Sequence, residues 1–333
     1  MPVDDSSDVD DSGDVDDSLR VDDSLHVDDS LHVDDSMPVE PDATSESSRS
    51  RPLSGLDESE PRFAPTSEGR FAWHEEGPHN TTPPLLLLHG FTGHRDDFIG
   101  VMPRLARDRR VLAPDLRGHG DSENHAGRLG FSFEQLVNDL AAFLDALEIP
   151  QIDLLGHSFG GFIGVRFALE HPERVRSLIL MCTSPETPSL MDPSGWRAAT
   201  EIAEQRGMEG LQPLAEGAVR RNPFPGLPAW GDAERYYAHH KRRHVSMTPE
   251  SYREIGRTFF DSVSMVSRLS EIRQTTRVLV GAQDAEFLPG ADLFEEHLPN
   301  VRRFTVAGAE HHPHQERPDV FFEEVASHLA VVR

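Results

Sequence analysis

The stretch LLGHSFGG, Leu154 to Gly161, decides how this chain is read. An apolar run delivers one serine fenced by glycines at 156 and 160, and the helix-like run GFIGVRFALEH follows. A serine in an open loop needs no such fence. One held at the tip of a sharp strand-to-helix turn does, because the backbone there is strained and side chains two residues before and after it would collide. Such a turn lifts Oγ of Ser158 clear of the sheet. It also leaves the amide of Phe159 at the start of a helix, where an oxyanion beside the serine would meet it.

Outward from this point, short apolar runs alternate with longer amphipathic ones, the rhythm of a mostly parallel sheet flanked by helices. PLLLLHG is unbroken and apolar, as a strand buried on both faces should be. RVLAPD, QIDLLG, RVRSLILMC, TRVLVG and VRRFTVAG read as further strands, and GRFAWH as an edge strand. In FSFEQLVNDLAAFLDALEIP, Ser132 stands as N-cap with Gln135 three residues on. Leu136, Leu140, Phe143, Leu144 and Leu147 recur at helical spacing, and Pro150 closes the run. From about 184 to 261 the chain offers only helical patterns and turns, among them WRAATEIAEQRG, DAERYYAHH and TPESYREIGRTFF, with Thr248 and Pro249 as cap and first helical position. That is an inserted helical cap over the ends of the sheet. RPDVFFEEVASHLAVV reads as a closing amphipathic helix.

The first sixty residues belong to another class. VDDSSD, VDDSGD, VDDSLR, VDDSLH and their successors form a six-residue repeat from Val3 to Pro38, followed by Ser/Pro/Glu-rich sequence. Residues 1–60 hold 20 Asp and Glu against three Arg, so they carry −17 of the formal net charge of −26. A β-helix needs an apolar side chain stacking inward on every rung, whereas here paired aspartates would stack like charges. The expectation is a disordered acidic N-terminus. Calcium binding is disfavoured, because the repeats lack the glycine turn and closing Glu of a calcium loop.

Composition excludes several partners. The acidic balance argues against nucleic acid, and the longest apolar run, LLLL at 85–88, is far below a membrane span. The N-terminus shows no basic and apolar secretory pattern, and the single cysteine, Cys182, fits a reducing compartment, so a cytoplasmic location is expected. Cys182 follows an apolar strand and reads as a small core residue. The clusters HHPH and His239, His240, His244 lack a carboxylate at ligand spacing, so no metal site is expected. DLRGHGDS reads as a structural turn tied by Asp115 and Arg117, with His119 and Asp121 near the pocket. Arg220, Arg221, Arg242 and Arg243 on the cap are the groups that would greet an acidic substrate, although charged pairs on helices usually face water. The sequence carries no signal of oligomeric state.

Strand, Gly-His-Ser-Phe-Gly and helix in that order resemble the nucleophile elbow of the α/β-hydrolases, and the resemblance runs from about Gly69 to the C-terminus. It implies the α/β-hydrolase fold of the serine-nucleophile branch with a helical cap. The family's second oxyanion-hole donor follows a His-Gly pair, here LHGFTGH, which implies the amide of Phe91 opposite that of Phe159. The family order Ser, Asp, His implies a catalytic triad of Ser158, Asp284 after the strand RVLVG, and His311 in GAEHHPHQERP. The ending Gly-His, four residues, Glu-x-Pro, counted back from Glu316 and Pro318, selects His311 over His312 and His314. Two departures stand out. Glu310 occupies a usual glycine position, where a carboxylate would raise the pKa of the base or compete with Asp284. QTTRVLV replaces a usual proline and suggests a frayed strand start.

The activity implied is a serine esterase: attack on a carboxylic ester, lactone or thioester through an acyl-enzyme, with no cofactor and a small-molecule acyl substrate. Serine at 158 argues against the haloalkane dehalogenase and epoxide hydrolase branches, which use a carboxylate nucleophile. The runner-up keeps the triad for C–C bond hydrolysis or for a lyase reaction of the menaquinone-pathway type. A third reading, a non-catalytic pocket receptor, sits poorly with three triad stations in place.

Overall fold

The computed structural model describes residues 60–221 and 232–332. Residues 1–59, which include the acidic repeat expected to be disordered, and the stretch NPFPGLPAWG at 222–231 lie outside the described residues. Eight strands form one sheet: β1 (Arg62–Thr66), β2 (Gly69–Glu76), β3 (Leu85–Leu88), β4 (Val111–Pro114), β5 (Ile152–His157), β6 (Val175–Met181), β7 (Thr275–Gly281) and β8 (Val301–Val306). Their order is β1-β2-β4-β3-β5-β6-β7-β8. β1, β2 and β4 pair antiparallel, and every pairing from β4 through β3 to β8 is parallel.

Leu85–Leu88 shows why the central strands carry no polar alternation. Leu86 and Leu88 enter one core layer with Leu154, Leu178 and Val278; Leu85 and Leu87 enter the other with Leu155, Ile179 and Leu279. Successive side chains point to opposite faces, so a strand covered on both faces is apolar throughout. The first layer is closed by α2 (Phe133–Ala146), α3 (Phe159–Glu170) and α7 (Leu288–His297). The second is closed by α1 (Met102–Leu105) and α9 (Pro318–Val331), and Phe98 is buried in the same layer. Ser132 caps α2, its side chain accepting from the Gln135 amide at 3.2 Å.

Between β6 and β7 the described residues hold α4 (Ser194–Arg221), α5 (Ala233–Val245) and α6 (Pro249–Phe260), and no strand. Gly207 breaks α4 into two helices at φ 71°, and Thr248 caps α6 in front of Pro249. α8 (Pro313–Glu316) is a single turn after β8.

Two expectations are corrected. GRFAWH is not at the edge: β1 pairs with it from Arg62↔Trp73 to Thr66↔Gly69, and β1 is the edge strand. The start of β7 is not frayed either. Thr275 pairs with Ser177 on β6, Thr276 pairs with Leu178 on β6 and Val301 on β8, and Thr276 is buried. A β-branched residue suits an interior strand as well as the proline it replaces would suit its entrance.

Candidate active site

Ser158 sits between β5 and α3 at φ 51°, ψ −121°, a conformation that non-glycine residues avoid. Neighbours on three sides hold it there. Its N–H donates to the Met181 carbonyl at 2.9 Å, and its own carbonyl accepts from the Gly161 amide at 2.8 Å and from Thr183 Oγ1 at 2.7 Å. The glycine fence meets the expected neighbour at Gly156 and a different one at Gly160. A methyl on Gly156 would come within 2.5 Å of the Gly160 carbonyl oxygen, and one on Gly160 within 2.5 Å of the Leu88 carbonyl oxygen. The fence lets the start of α3 press against its own strand and against β3, which is what brings Ser158 up to the loop after β3.

That loop explains the His-Gly pair. His89 donates Nδ1–H to the Gly90 carbonyl at 2.8 Å while its Nε2 accepts from the Leu116 amide at 3.0 Å. The Gly93 amide also donates to the Gly90 carbonyl, at 3.0 Å. With that carbonyl fixed by two donors, the planar peptide leaves the Phe91 N–H facing the opposite way. Gly90 packs close to Ser158: a methyl there would stand 3.1 Å from its Cβ and 3.5 Å from its Oγ.

Asp284 lies just beyond β7 and His311 just beyond β8, and the structure brings them together with Nδ1 of His311 2.9 Å from Oδ2 of Asp284. Gly281 permits the approach, because a Cβ there would overlap the Glu310 carbonyl oxygen. Phe287 stacks on the His311 ring at 4.8 Å. The Glu310 side chain is exposed, and its backbone N–H donates to the Glu316 carboxylate, which also accepts from the His312 amide at 3.0 Å. Glu316 therefore staples the loop that carries His311.

His157 adds a support that the motif alone does not reveal. Its Nε2–H donates to the His311 carbonyl at 2.7 Å, and its ring lies 4.9, 5.1 and 5.2 Å from those of His311, His312 and His314. Burial, then the adjacent His311 and His314, holds the pKa of His157 well below the usual histidine range, so it stays neutral. Cys182 is also beside the pair, its Sγ 3.7 Å from the Glu310 carbonyl. Burial and the Asp284 carboxylate push its thiol well above the ordinary value, as expected of a core residue and not of a nucleophile.

The surroundings are aromatic. Phe91 lies 5.3 Å from Tyr252 of α6 and 6.5 Å from Phe159, and Phe133 lies 5.3 Å from Phe159. Three of the cap arginines are engaged by the protein itself. Arg220 pairs with Glu216 and Glu234, Arg242 with Asp96 at 3.0 Å, and Arg243 lies 3.6 Å from Asp97. Burial alone would raise the Asp97 carboxyl, but Arg243 and a 2.7 Å hydrogen bond from His239 overcome it and hold Asp97 well below the usual range. In DLRGHGDS, Arg117 binds Asp139 and Asp115 binds Arg95; His119 packs behind the His89 ring at 4.9 Å, and Asp121 holds Arg95 at 2.7 Å. Two groups among the described residues have metal-like spacing, Cys182/Asp284/His311 and His94/Asp115/Asp121. In the first the Asp284–His311 hydrogen bond uses the ligand atoms, and in the second the Arg95 guanidinium sits on both carboxylates.

Comparisons with known proteins agree with this architecture. A protein from Bacillus subtilis (strain 168), provisionally assigned as a 2-succinyl-6-hydroxy-2,4-cyclohexadiene-1-carboxylate synthase, is 26% identical over 268 residues, 79% of this chain and 96% of that one. The 2-hydroxymuconate semialdehyde hydrolase of Pseudomonas sp. (strain CF600) is 46% identical over 101 residues, which span 29% of this chain and only 35% of the relative. Among solved structures, a hydrolase from Pseudomonas aeruginosa PA01 superposes with a TM-score of 0.68 at 25% identity, covering 83% of this chain and all of that one. The enol-lactonase of Burkholderia xenovorans LB400 shares the fold at a TM-score of 0.67 and 21% identity, covering 81% of this chain and all of its own. The family model of the alpha/beta hydrolase fold matches residues 83–289, from the strand that leads to His89 through the turn that carries Asp284, and the chain belongs to that family.

Proposed function

We propose that this protein is a serine hydrolase acting by acyl transfer on a carboxylic ester, lactone or thioester with an apolar acyl group. The observation that carries the proposal is the strained Ser158, packed against Gly90 of the loop after β3, in the same fold as a His311–Asp284 pair at 2.9 Å. In this reading His311 keeps its Nδ1 proton on Asp284, so Nε2 is free to take the proton of Ser158 as Oγ attacks the carbonyl. The amides of Phe91 and Phe159 stabilise the tetrahedral oxyanion, each contributing on the order of 3 kcal/mol of barrier lowering. His311 then protonates the leaving group and activates the water that releases the acid. The protein supplies every group these steps need.

The cap favours a neutral acyl substrate. Arg220, Arg242 and Arg243 answer carboxylates of the protein itself, and the rings of Phe91, Phe133, Phe159 and Tyr252 offer apolar surface. A second reading, C–C bond hydrolysis or a lyase reaction, is favoured by the near full-length match to the Bacillus subtilis synthase and by the match to the semialdehyde hydrolase. Fluorophosphonate labelling of the full chain, with Ser158→Ala and His311→Ala beside it, followed by turnover of short p-nitrophenyl esters, tests both. Labelling at Ser158 with brisk ester turnover supports acyl transfer, and labelling without ester turnover moves the assignment to the second reading. Folded wild-type protein that resists labelling removes the activated serine.

A further inference from the structure

The loop that carries Phe91 contains an anomaly. Gly90 to Gly93 form a turn closed by the 3.0 Å bond from the Gly93 amide to the Gly90 carbonyl, and the third residue is Thr92 at φ 56°. That position suits glycine or asparagine, and a β-branched threonine is among the poorest choices for it. Something must hold Thr92 there.

The holding group comes from the cap. Arg243, near the end of α5, donates Nε–H to the Thr92 carbonyl at 2.9 Å, and its guanidinium faces Asp97 at 3.6 Å. Asp97 in turn accepts from His239 at 2.7 Å and from the His94 amide at 3.1 Å, and its own carbonyl accepts from Gln315 at 3.1 Å, four residues beyond His311. One step earlier, Asp96 binds Arg242 of α5 at 3.0 Å and His74 of β2 at 2.6 Å. Two adjacent carboxylates thus fix α5 to the sheet, and Arg243 is left aimed at one carbonyl of the strained turn.

We propose that Arg243 is a positioning residue: by holding the Thr92 carbonyl from the cap it keeps the Gly90–Gly93 turn in the conformation that aims the Phe91 amide at the reacting carbonyl. The oxyanion hole is then complete only while α5 is docked. A bare structural anchor would not need to reach a main-chain oxygen two residues from the nucleophile's neighbour. This inference rests on the acyl-transfer reading above, which makes the Phe91 amide a donor to substrate.

The test uses the full chain with Arg243→Met, Arg243→Lys, Thr92→Gly and the double variant Thr92→Gly/Arg243→Met. The measurements are fluorophosphonate inactivation rates, and kcat and KM for a p-nitrophenyl ester. Arg243→Met should lower kcat and the inactivation rate by about 10²-fold with KM moved less than threefold, the signature of a lost transition-state donor. Arg243→Lys retains a charge opposite Asp97 but cannot hold both partners, and should lose about tenfold. The decisive variant is the double one: glycine adopts the turn without being held, so at least tenfold of the lost kcat should return. A kcat within threefold of wild type in both Arg243 variants, or no recovery in the double variant, overturns the proposal while labelling of the wild type leaves the acyl-transfer reading standing. Wild-type protein that neither labels nor turns over ester overturns both. If Arg243→Met does not fold, Arg243→Lys and its own pairing with Thr92→Gly distinguish the same two outcomes.

Discussion

Gly281→Ala would disturb His311, the proposed base, without touching it. The new methyl would overlap the Glu310 carbonyl oxygen, which would have to retreat by about 1 Å before the pair reached the closest distance real atoms tolerate. The carbonyl belongs to the peptide that leads into His311, so the ring moves with it, away from an Asp284 carboxylate that now stands at 2.9 Å. Glu316 and His157 hold the same loop from two sides and cannot follow a shift of that size without losing their bonds at 3.0 and 2.7 Å. A misplacement of about 1 Å at a reacting group costs on the order of 10²-fold. The expected result is therefore a fall in kcat of about 10²-fold with a smaller change in KM, and a loss of stability of about 1–3 kcal/mol from the overpacked contact. The control is Gly195→Ala in α4, where an added methyl meets nothing within 4 Å, so kcat should not move and stability should hold or rise by up to about 1 kcal/mol. Ester kinetics and urea midpoints on the two variants decide it. Gly281→Ala protein with kcat within threefold of wild type and an unchanged midpoint would refute the claim that close packing of β7 against this loop sets the position of His311.

The same geometry supports three further predictions. Asp284→Asn keeps the shape of the side chain but cannot hold His311 in the tautomer that leaves Nε2 free, so kcat should fall by about 10⁴-fold while the thermal midpoint stays within a few degrees; a loss under tenfold would place the orienting acid elsewhere. His328 is buried on α9 with its pKa pushed down to about 4, first by burial and then by Arg277, whereas the unfolded chain titrates near 6.5. As pH falls below about 6.5 the unfolded state takes up the proton first, so stability is full above that pH and declines toward pH 4 by at most about 1.4 kcal/mol per unit; His328→Leu should flatten the urea midpoint against pH by that share. Cys182, almost fully buried and with a raised thiol pKa, should react with an aromatic disulfide only after denaturant is added, and rapid reaction of the native protein would contradict its placement.

Local chemistry was legible in the sequence, and long-range chemistry was not. The strand–serine–helix turn could be read because its determinants sit within eight residues, and the cap of α2 at Ser132 because an N-cap bonds three residues ahead. Asp284 and His311 became pairable only through the family order, since nothing local distinguishes a strand-end aspartate from a capping one. The glycine fence is half legible: Gly156 meets Gly160, four residues on, whereas Gly160 yields to the carbonyl of Leu88, a contact between the start of α3 and β3, about seventy residues apart. The β1 edge escaped notice because RFAPT has a proline near its end, which an edge strand tolerates and an interior one does not. The partners of Arg242 and Arg243 are not legible in the sequence, because Asp96 and Asp97 lie nearly 150 residues earlier.

Strain is distributed in this molecule in a way that packing alone does not require. Among the described residues, four that are not glycine have positive φ: Thr92, Glu148, Ser158 and Cys182. Glu148 follows the end of α2, a place where left-handed residues commonly stop a helix. The other three follow the C-terminal ends of β3, β5 and β6, neighbours in the sheet, and each is pinned by a main-chain bond: the Thr92 carbonyl to Arg243, the Ser158 amide to the Met181 carbonyl, and the Cys182 amide to the Leu279 carbonyl. Each costs on the order of 1–3 kcal/mol, a sum comparable to a large part of a domain's net stability. Cys182 shows why the cost is tolerated at a position with no chemistry of its own. Its turn brings the end of β6 under the Glu310 carbonyl, beside Asp284 and His311, and a relaxed backbone there would open the floor beneath the pair. Strain that follows the C-terminal ends of three neighbouring strands, and is held by groups from β6, β7 and the cap, is the arrangement expected where side chains must be presented to a ligand and not merely buried.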